Sequence, residues 1–153
     1  MKSVEPLKTV LIEMITVYEK LLAVGREKQA ALIKGDPELL LAIFPKESAL
    51  IKEISHLEDR RQQETASLQS ETLSELIEKY SSMELSTYQT ELKAKLTELE
   101  KQHELNSQLV QSSLEYINSM LSLFTQKQEQ PLTYSAKNYM QANTSRSFFD
   151  AKV

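Results

Sequence analysis

The chain has 153 residues, enough for one domain, and 41% of them are apolar, enough to build a core. Two glycines and four prolines leave few places to turn, so the chain must divide into a few long elements. The absence of cysteine excludes a disulfide framework and a thiolate zinc site, and the formal charge of −4 argues against nucleic acid as a partner.

The chain opens with MKSVEPLKTVLIEM, where Glu5, Lys8 and Glu13 interrupt the apolar positions. A secretory signal needs an unbroken apolar run, so none is read here. No stretch approaches the roughly 20 apolar residues of a membrane-spanning helix. The expected location is therefore cytoplasmic.

The first predicted helix covers residues 6–33. Leu7, Val10, Leu11, Met14, Val17, Tyr18, Leu21 and Leu22 recur at spacings of three and four and make one apolar stripe. Gly25 falls on that stripe, where a missing side chain suits the close approach of another helix. In KGDPELL, Gly35 suits the left-handed residue that ends a helix, Asp36 the cap of the next, and Pro37 its first turn. The first two helices should join through this tight turn and lie antiparallel.

The second predicted helix covers residues 37–68, with a stripe of Leu40, Ile43, Phe44, Leu50, Ile51, Ile54 and Leu57. Pro45 removes one intrahelical bond and predicts a kink or break at residues 42–44. Beyond Leu57 the run EDRRQQETAS has no large apolar residue and reads as a solvated or frayed end. A short helix over residues 71–80 follows. Thr72 and Glu75 there have capping-box spacing, and Leu73, Leu76, Ile77 and Tyr80 form the expected inner face.

SSMELS links to the third long helix, residues 85–126. At 1.5 Å per residue it is about 60 Å long. The expected fold is all-α: an elongated, coiled-coil-like antiparallel bundle of three long helices and a short one over residues 1–130. Leu92, Leu96, Leu99, Val110, Leu114, Ile117, Leu121 and Phe124 share one arc of the helical wheel with His103 and Asn106. Leu105, Leu109, Tyr116, Met120 and Leu123 make a second ridge, confined to the second half. Either the first two helices both pack there, or the ridge is a groove for an apolar helix of a partner.

The helical period stops at Pro131. Residues 131–153 carry Tyr134, Tyr139, Met140, Phe148 and Phe149 with no regular period and read as a flexible tail. Lys137, Arg146 and Lys152 against Asp150 give the tail a net +2, which leaves −6 on the other 130 residues. Such a tail can fold back on the body or be steered to an acidic partner.

With two histidines, no cysteine and only Gly25 and Gly35, the chain offers no phosphate loop and no Cys/His metal spacing. No enzymatic activity, cofactor or metal is expected. HELNSQL, residues 103–109, resembles the H-box of histidine kinase dimerisation domains at His103, Glu104, Leu105, Ser107 and Leu109. Gln108 stands where proline belongs, and Asn106 where a basic residue belongs. The plainer expectation is a core histidine bonded within the bundle, to Asn106.

Several segments together point to one family. They are the turn LIKGDPELL, the helix KESALIKEISHLEDRR, and ELNSQLVQSSLEYINSMLSLF with Asn106 and Leu109 in an Asn-x-x-Leu element. Tyr134 early in the tail and the ending FFDAKV complete the pattern. The chain thereby resembles the FlgN family of cytoplasmic flagellar export chaperones, from which it departs at Pro45 and in having no glycine after Tyr134. The resemblance implies a non-enzymatic chaperone for the terminal helical segments of hook-associated, or hook–filament junction, proteins. It would prevent their premature assembly and deliver them to the type III export gate.

For the function that the resemblance implies, the second ridge supplies the candidate groove and the tail the candidate docking element. Leu105, Leu109, Tyr116, Met120, Leu123 and Phe124 are the expected client-binding residues. Tyr134, Tyr139, Phe148 and Phe149 are the expected docking residues of the tail. The implied partners are hook-associated proteins and a membrane export-gate component. The export ATPase complex and a homodimer of the client-free protein are left open. The competing readings are a coiled-coil scaffold without client specificity and, behind it, a histidine phosphotransfer domain.

Overall fold

Four helices account for most of residues 3–127, which are the residues that the computed structural model describes: α1 (Glu5–Lys34), α2 (Pro37–Ser67), α3 (Leu73–Tyr80) and α4 (Met83–Lys127). The fold is all-α, as the periodicity predicts. The chain divides into two units, Met1–Leu109 and Val110–Val153.

In the first unit, the turn between α1 and α2 is built as its sequence requires. Gly35 adopts φ 69° and ψ 45°, a left-handed conformation in which a Cβ would be strained. Its N–H donates to the Leu32 carbonyl, and that of Asp36 to the Ala31 carbonyl, which satisfies the end of α1. The Asp36 carboxylate then accepts the Leu39 N–H at 3.1 Å and caps α2. Lys28 pairs with Glu47 near the turn and Glu13 with Arg60 further from it, so α1 and α2 are antiparallel.

The expected break in α2 and its expected frayed end need correction. The helix runs unbroken through Pro45. Pro45 and Leu41, the residue whose carbonyl loses its partner, are both exposed, so water can replace the lost bond. Nor is the stretch after Leu57 a frayed end. Arg61 donates to both oxygens of Glu58, Arg60 reaches Glu13, and the buried Thr65 hydroxyl bonds back to the Arg61 carbonyl at 2.8 Å. Lys79 donates to the Leu68 carbonyl and closes the end.

The short α3 is capped by Thr72, whose hydroxyl accepts the Glu75 N–H at 3.2 Å. The Glu75 carboxylate reaches back to the N–H of Glu71, one residue before the position a capping box uses. Leu76 is fully buried, with Leu73 and Ile77 packed beside it. Tyr80 is not on the inner face as expected: it is exposed, with the Lys79 ammonium 5.8 Å from its ring centroid. One turn after the link, the Ser82 hydroxyl accepts the Leu85 N–H and starts α4.

Lys8 pairs with Glu84 at 2.6 Å, and Gly25 meets Gln102, at offsets of 76 and 77 residues along the two helices. A constant offset means that α4 runs parallel to α1.

The core follows a heptad rule. On α4 the covered positions include Leu85, Tyr88, Leu92, Lys95, Leu99, Gln102 and Asn106, alternately three and four residues apart. On α2 they are Leu40, Ile43, Glu47, Leu50, Ile54, Leu57 and Arg61. Against them lie Leu7, Val10, Leu11, Met14, Ile15 and Val17 of α1, with Leu68 and Leu76. A wheel drawn at 100° per residue drifts by about 20° per heptad from such a seam. Further expected core residues are misplaced. Leu96 and His103 of α4, and Phe44 and Ile51 of α2, are exposed rather than core.

Candidate functional site

In the second unit, α4 carries VQSSLEYINSMLSLFTQ over residues 110–126, in which Glu115 is the sole charged residue. Helical spacing sorts this stretch into two halves. Val110, Leu114, Tyr116, Ile117, Met120, Leu121, Leu123 and Phe124 fall within about 180° of the helix circumference. Gln111, Ser112, Glu115, Asn118, Ser119, Ser122, Thr125 and Gln126 take the other side, and Ser113 is the one small polar residue within the apolar half. Val110 and Leu114 are half-buried. The large side chains beyond them are open to solvent: Tyr116 by 67%, Met120 by 51%, Leu123 by 60% and Phe124 by 62%. Ile117 and Leu121 are also exposed, so among the described residues the expected core stripe is uncovered beyond Leu114. Among the described residues these side chains are uncovered.

The first-unit members of the expected site are placed differently. Leu105 is exposed and borders a shallow cleft with Leu22, Arg26, Glu98, Lys101 and Gln102. Leu109 is half-buried. Tyr134, Tyr139, Phe148 and Phe149 lie outside the described residues.

Asn106, the first residue of the Asn-x-x-Leu element, has a definite place. It is buried, and its Nδ2 donates to the Gly25 carbonyl at 2.9 Å. Gln102 Nε2 reaches the same carbonyl at 3.3 Å, Gln29 Oε1 at 3.0 Å and Asn106 Oδ1 at 3.3 Å. Two amides thus converge on one helix carbonyl, and Gly25 leaves room for them. A Cβ at Gly25 would stand 2.8 Å from Gln102 Cγ. His103 takes no part: it is exposed and Asn106 is bonded elsewhere, so the expected core histidine is wrong. Exposure removes the steric objection to a phosphoacceptor, but the H-box likeness still rests on five matching residues without the proline.

Ionisable groups are arranged for structure. Hydrogen bonding from Arg61 holds the Glu58 carboxyl below its ordinary range, against the opposing effect of burial. Burial, and then the Glu58 charge, push the Tyr18 phenol up. Hydrogen bonds that the Lys8 ammonium donates to Glu84 and Glu5 raise its pKa. No cluster of three or more metal-ligating side chains occurs among the described residues. None of their helices is long and apolar enough to cross a membrane.

One exposed feature escaped the sequence reading. Leu41, Phe44 and Ile51 form an apolar stripe on α2, on the side away from Ile43, Leu50 and Leu57. The signal was present: the latter three stand seven residues apart, and a strict heptad reading separates the two stripes.

A family model described as FlgN protein matches residues 1–142. The match takes in every helix, Asn106, Tyr134 and Tyr139, and ends before Phe148 and Phe149. No curated protein and no solved structure is significantly similar to the chain.

Proposed function

The chain belongs to the FlgN protein family of flagellar export chaperones, which bind hook-associated proteins, and from that premise we propose that it holds the terminal helical segments of those clients on the apolar half of α4. The observation that carries this reading is the row of large apolar side chains over residues 116–124 that nothing among the described residues covers. A client helix with its own apolar stripe would lie along that row, as amphipathic helices lie in grooves. Leu105 and Leu109 complete the set of proposed client contacts. Capture masks the client's assembly surface in the cytoplasm until export.

The affinity should be moderate. Six side chains that are roughly half uncovered gain about 1 kcal/mol each on burial. Association itself costs about 4–15 kcal/mol. The client's own apolar stripe contributes a similar amount, so the total gain of about 12 kcal/mol only modestly exceeds that cost and gives the reversible complex that a chaperone must release. Met120 suits clients of differing shape, because its unbranched thioether side chain repacks readily. A second copy can use the same face when no client is present. Delivery to the membrane export gate is assigned to residues 131–153, with Tyr134 as the leading anchor, because an aromatic ring offers large contact area with few rotors to fix.

The test is titration of the purified chain with terminal segments of hook–filament junction proteins. Met120→Ser with Leu123→Ser is expected to weaken binding at least tenfold with an unchanged melting temperature. Unchanged binding would move the client site elsewhere. A collapsed melting transition would make these residues part of a core. Leu109→Ala is a less clean probe, because that side chain is already half-buried.

A further inference from the structure

The packed face of α4 repeats every seven residues. Leu85, Leu92 and Leu99 are equivalent in shape and spacing, and Asn106 is the next member of the series. The facing helix repeats in the same way. In α1 the series Val10, Val17, Val24, Ala31 runs beside Leu11, Tyr18, Gly25, Leu32. Two surfaces with a common heptad pack nearly as well after a shift of seven residues, so apolar burial by itself does not choose the register. The two repeats are each broken once, at Gly25 and at Asn106, and those two residues are bonded to each other at 2.9 Å.

We infer that Gln102 and Asn106 are positioning residues that fix the register of α4 on α1. Their amides reach the Gly25 carbonyl because Gly25 has no side chain in the way. After a seven-residue slip Asn106 would face Tyr18 or Leu32, whose side chains fill the corresponding space. A buried amide would then lose its partner, which disfavours both slipped states. The register in turn decides which stretch of α4 is packed in the first unit. The inference does not depend on what the protein binds, so its test involves no client.

The natural chain has no cysteine, so two introduced ones carry spin labels at defined places. Lys20→Cys and Thr87→Cys are both at exposed positions of the first unit. A seven-residue slip changes their axial separation by about 10 Å, which pulsed electron–electron double resonance resolves. With Gln102 and Asn106 present, one distance is expected. With Gln102→Leu and Asn106→Leu, a second population is expected about 10 Å away, at unchanged helical content. A single, unchanged distance in the leucine variant would overturn the inference, and so would two distances in the natural sequence. Asn106→Leu alone, which keeps Gln102, provides the same readout should the double variant fold poorly, and a smaller second population is then expected.

Discussion

Placing an alanine at Gly25 sets two opposed effects against each other. Glycine inside a helix is worse than alanine by about 1 kcal/mol, so on propensity the substitution stabilises. Its Cβ, however, would stand 2.8 Å from Gln102 Cγ, where ordinary contact begins at 3.4 Å. The atom in the way is in the middle of a side chain whose amide is engaged with Gly25, Gln29 and Asn106, so it cannot simply swing aside. Opening the gap by the missing distance would also stretch the 2.9 Å bond from Asn106 beyond useful length. A buried amide left unpaired costs about 1–3 kcal/mol, and the half-buried Gln102 about 0.5 kcal/mol more. The loss exceeds the propensity gain, and the net destabilisation is about 0.5–2.5 kcal/mol. For a folded region of this size that lowers the melting temperature by about 2–10 °C.

The sign should reverse when the obstacle is removed. In a Gln102→Ala background, Gly25→Ala meets no Cγ, and the propensity term should raise the melting temperature. The assay is a double-mutant cycle of thermal melts followed by circular dichroism, with an expected coupling of at least about 1 kcal/mol. A rise in melting temperature for Gly25→Ala with Gln102 present would refute the reasoning, since it would show the side chain yielding freely.

Two further outcomes follow from the first unit. Leu76→Ala should cost about 2–5 kcal/mol and release α3, because an isolated helix of 8 residues has little stability of its own; hydrogen exchange at residues 73–80 should quicken first. Glu58 has a folded pKa below its unfolded value, so its contribution is present above about pH 4.5 and is lost as the pH falls through the lower folded value; Glu58→Gln should narrow the difference in melting temperature between pH 7 and pH 3, and an unchanged difference would remove that assignment.

The legibility of the fold in the sequence depended on how local the signal was. KGDPELL specified a stop, a cap and a start within seven residues, and each backbone group there is satisfied as read. Thr72 was equally local. The errors came where the answer depended on a neighbour. Glu47 and Arg61 occupy the α2 seam because Lys28 and Glu58 pair with them, and such polar members hide a heptad from a search for apolar residues. Asn106 looked like an anomaly on the wheel until Gly25, 81 residues away, supplied its partner. His103 was placed in the core by an ideal wheel that had drifted from the 3.5-residue repeat. The apolar half of α4 was visible as a second ridge. Periodicity shows that such a face is apolar and carries no information on what covers it.

The composition of that face has a consequence for its energetics. Residues 110–126 contain one charge, Glu115, which lies on the polar side. Contacts made there should depend on apolar burial, which salt does not screen and which some salts strengthen. Residues from Pro131 on carry three cations and one anion, so any contact they make with an acidic partner should weaken as ionic strength rises. The two proposed tasks, holding a client and docking at the gate, are therefore separable by salt in the full chain. Between 50 mM and 500 mM sodium chloride the Debye length shrinks from roughly 14 Å to roughly 4 Å. Client affinity should change less than about twofold over that range, whereas affinity for an acidic gate component should fall severalfold. Isothermal titration with each partner at the two salt concentrations measures both. A client affinity that fell tenfold would mean that charges recognise the client, and the uncovered row from Tyr116 to Phe124 would lose its assignment as the holding surface.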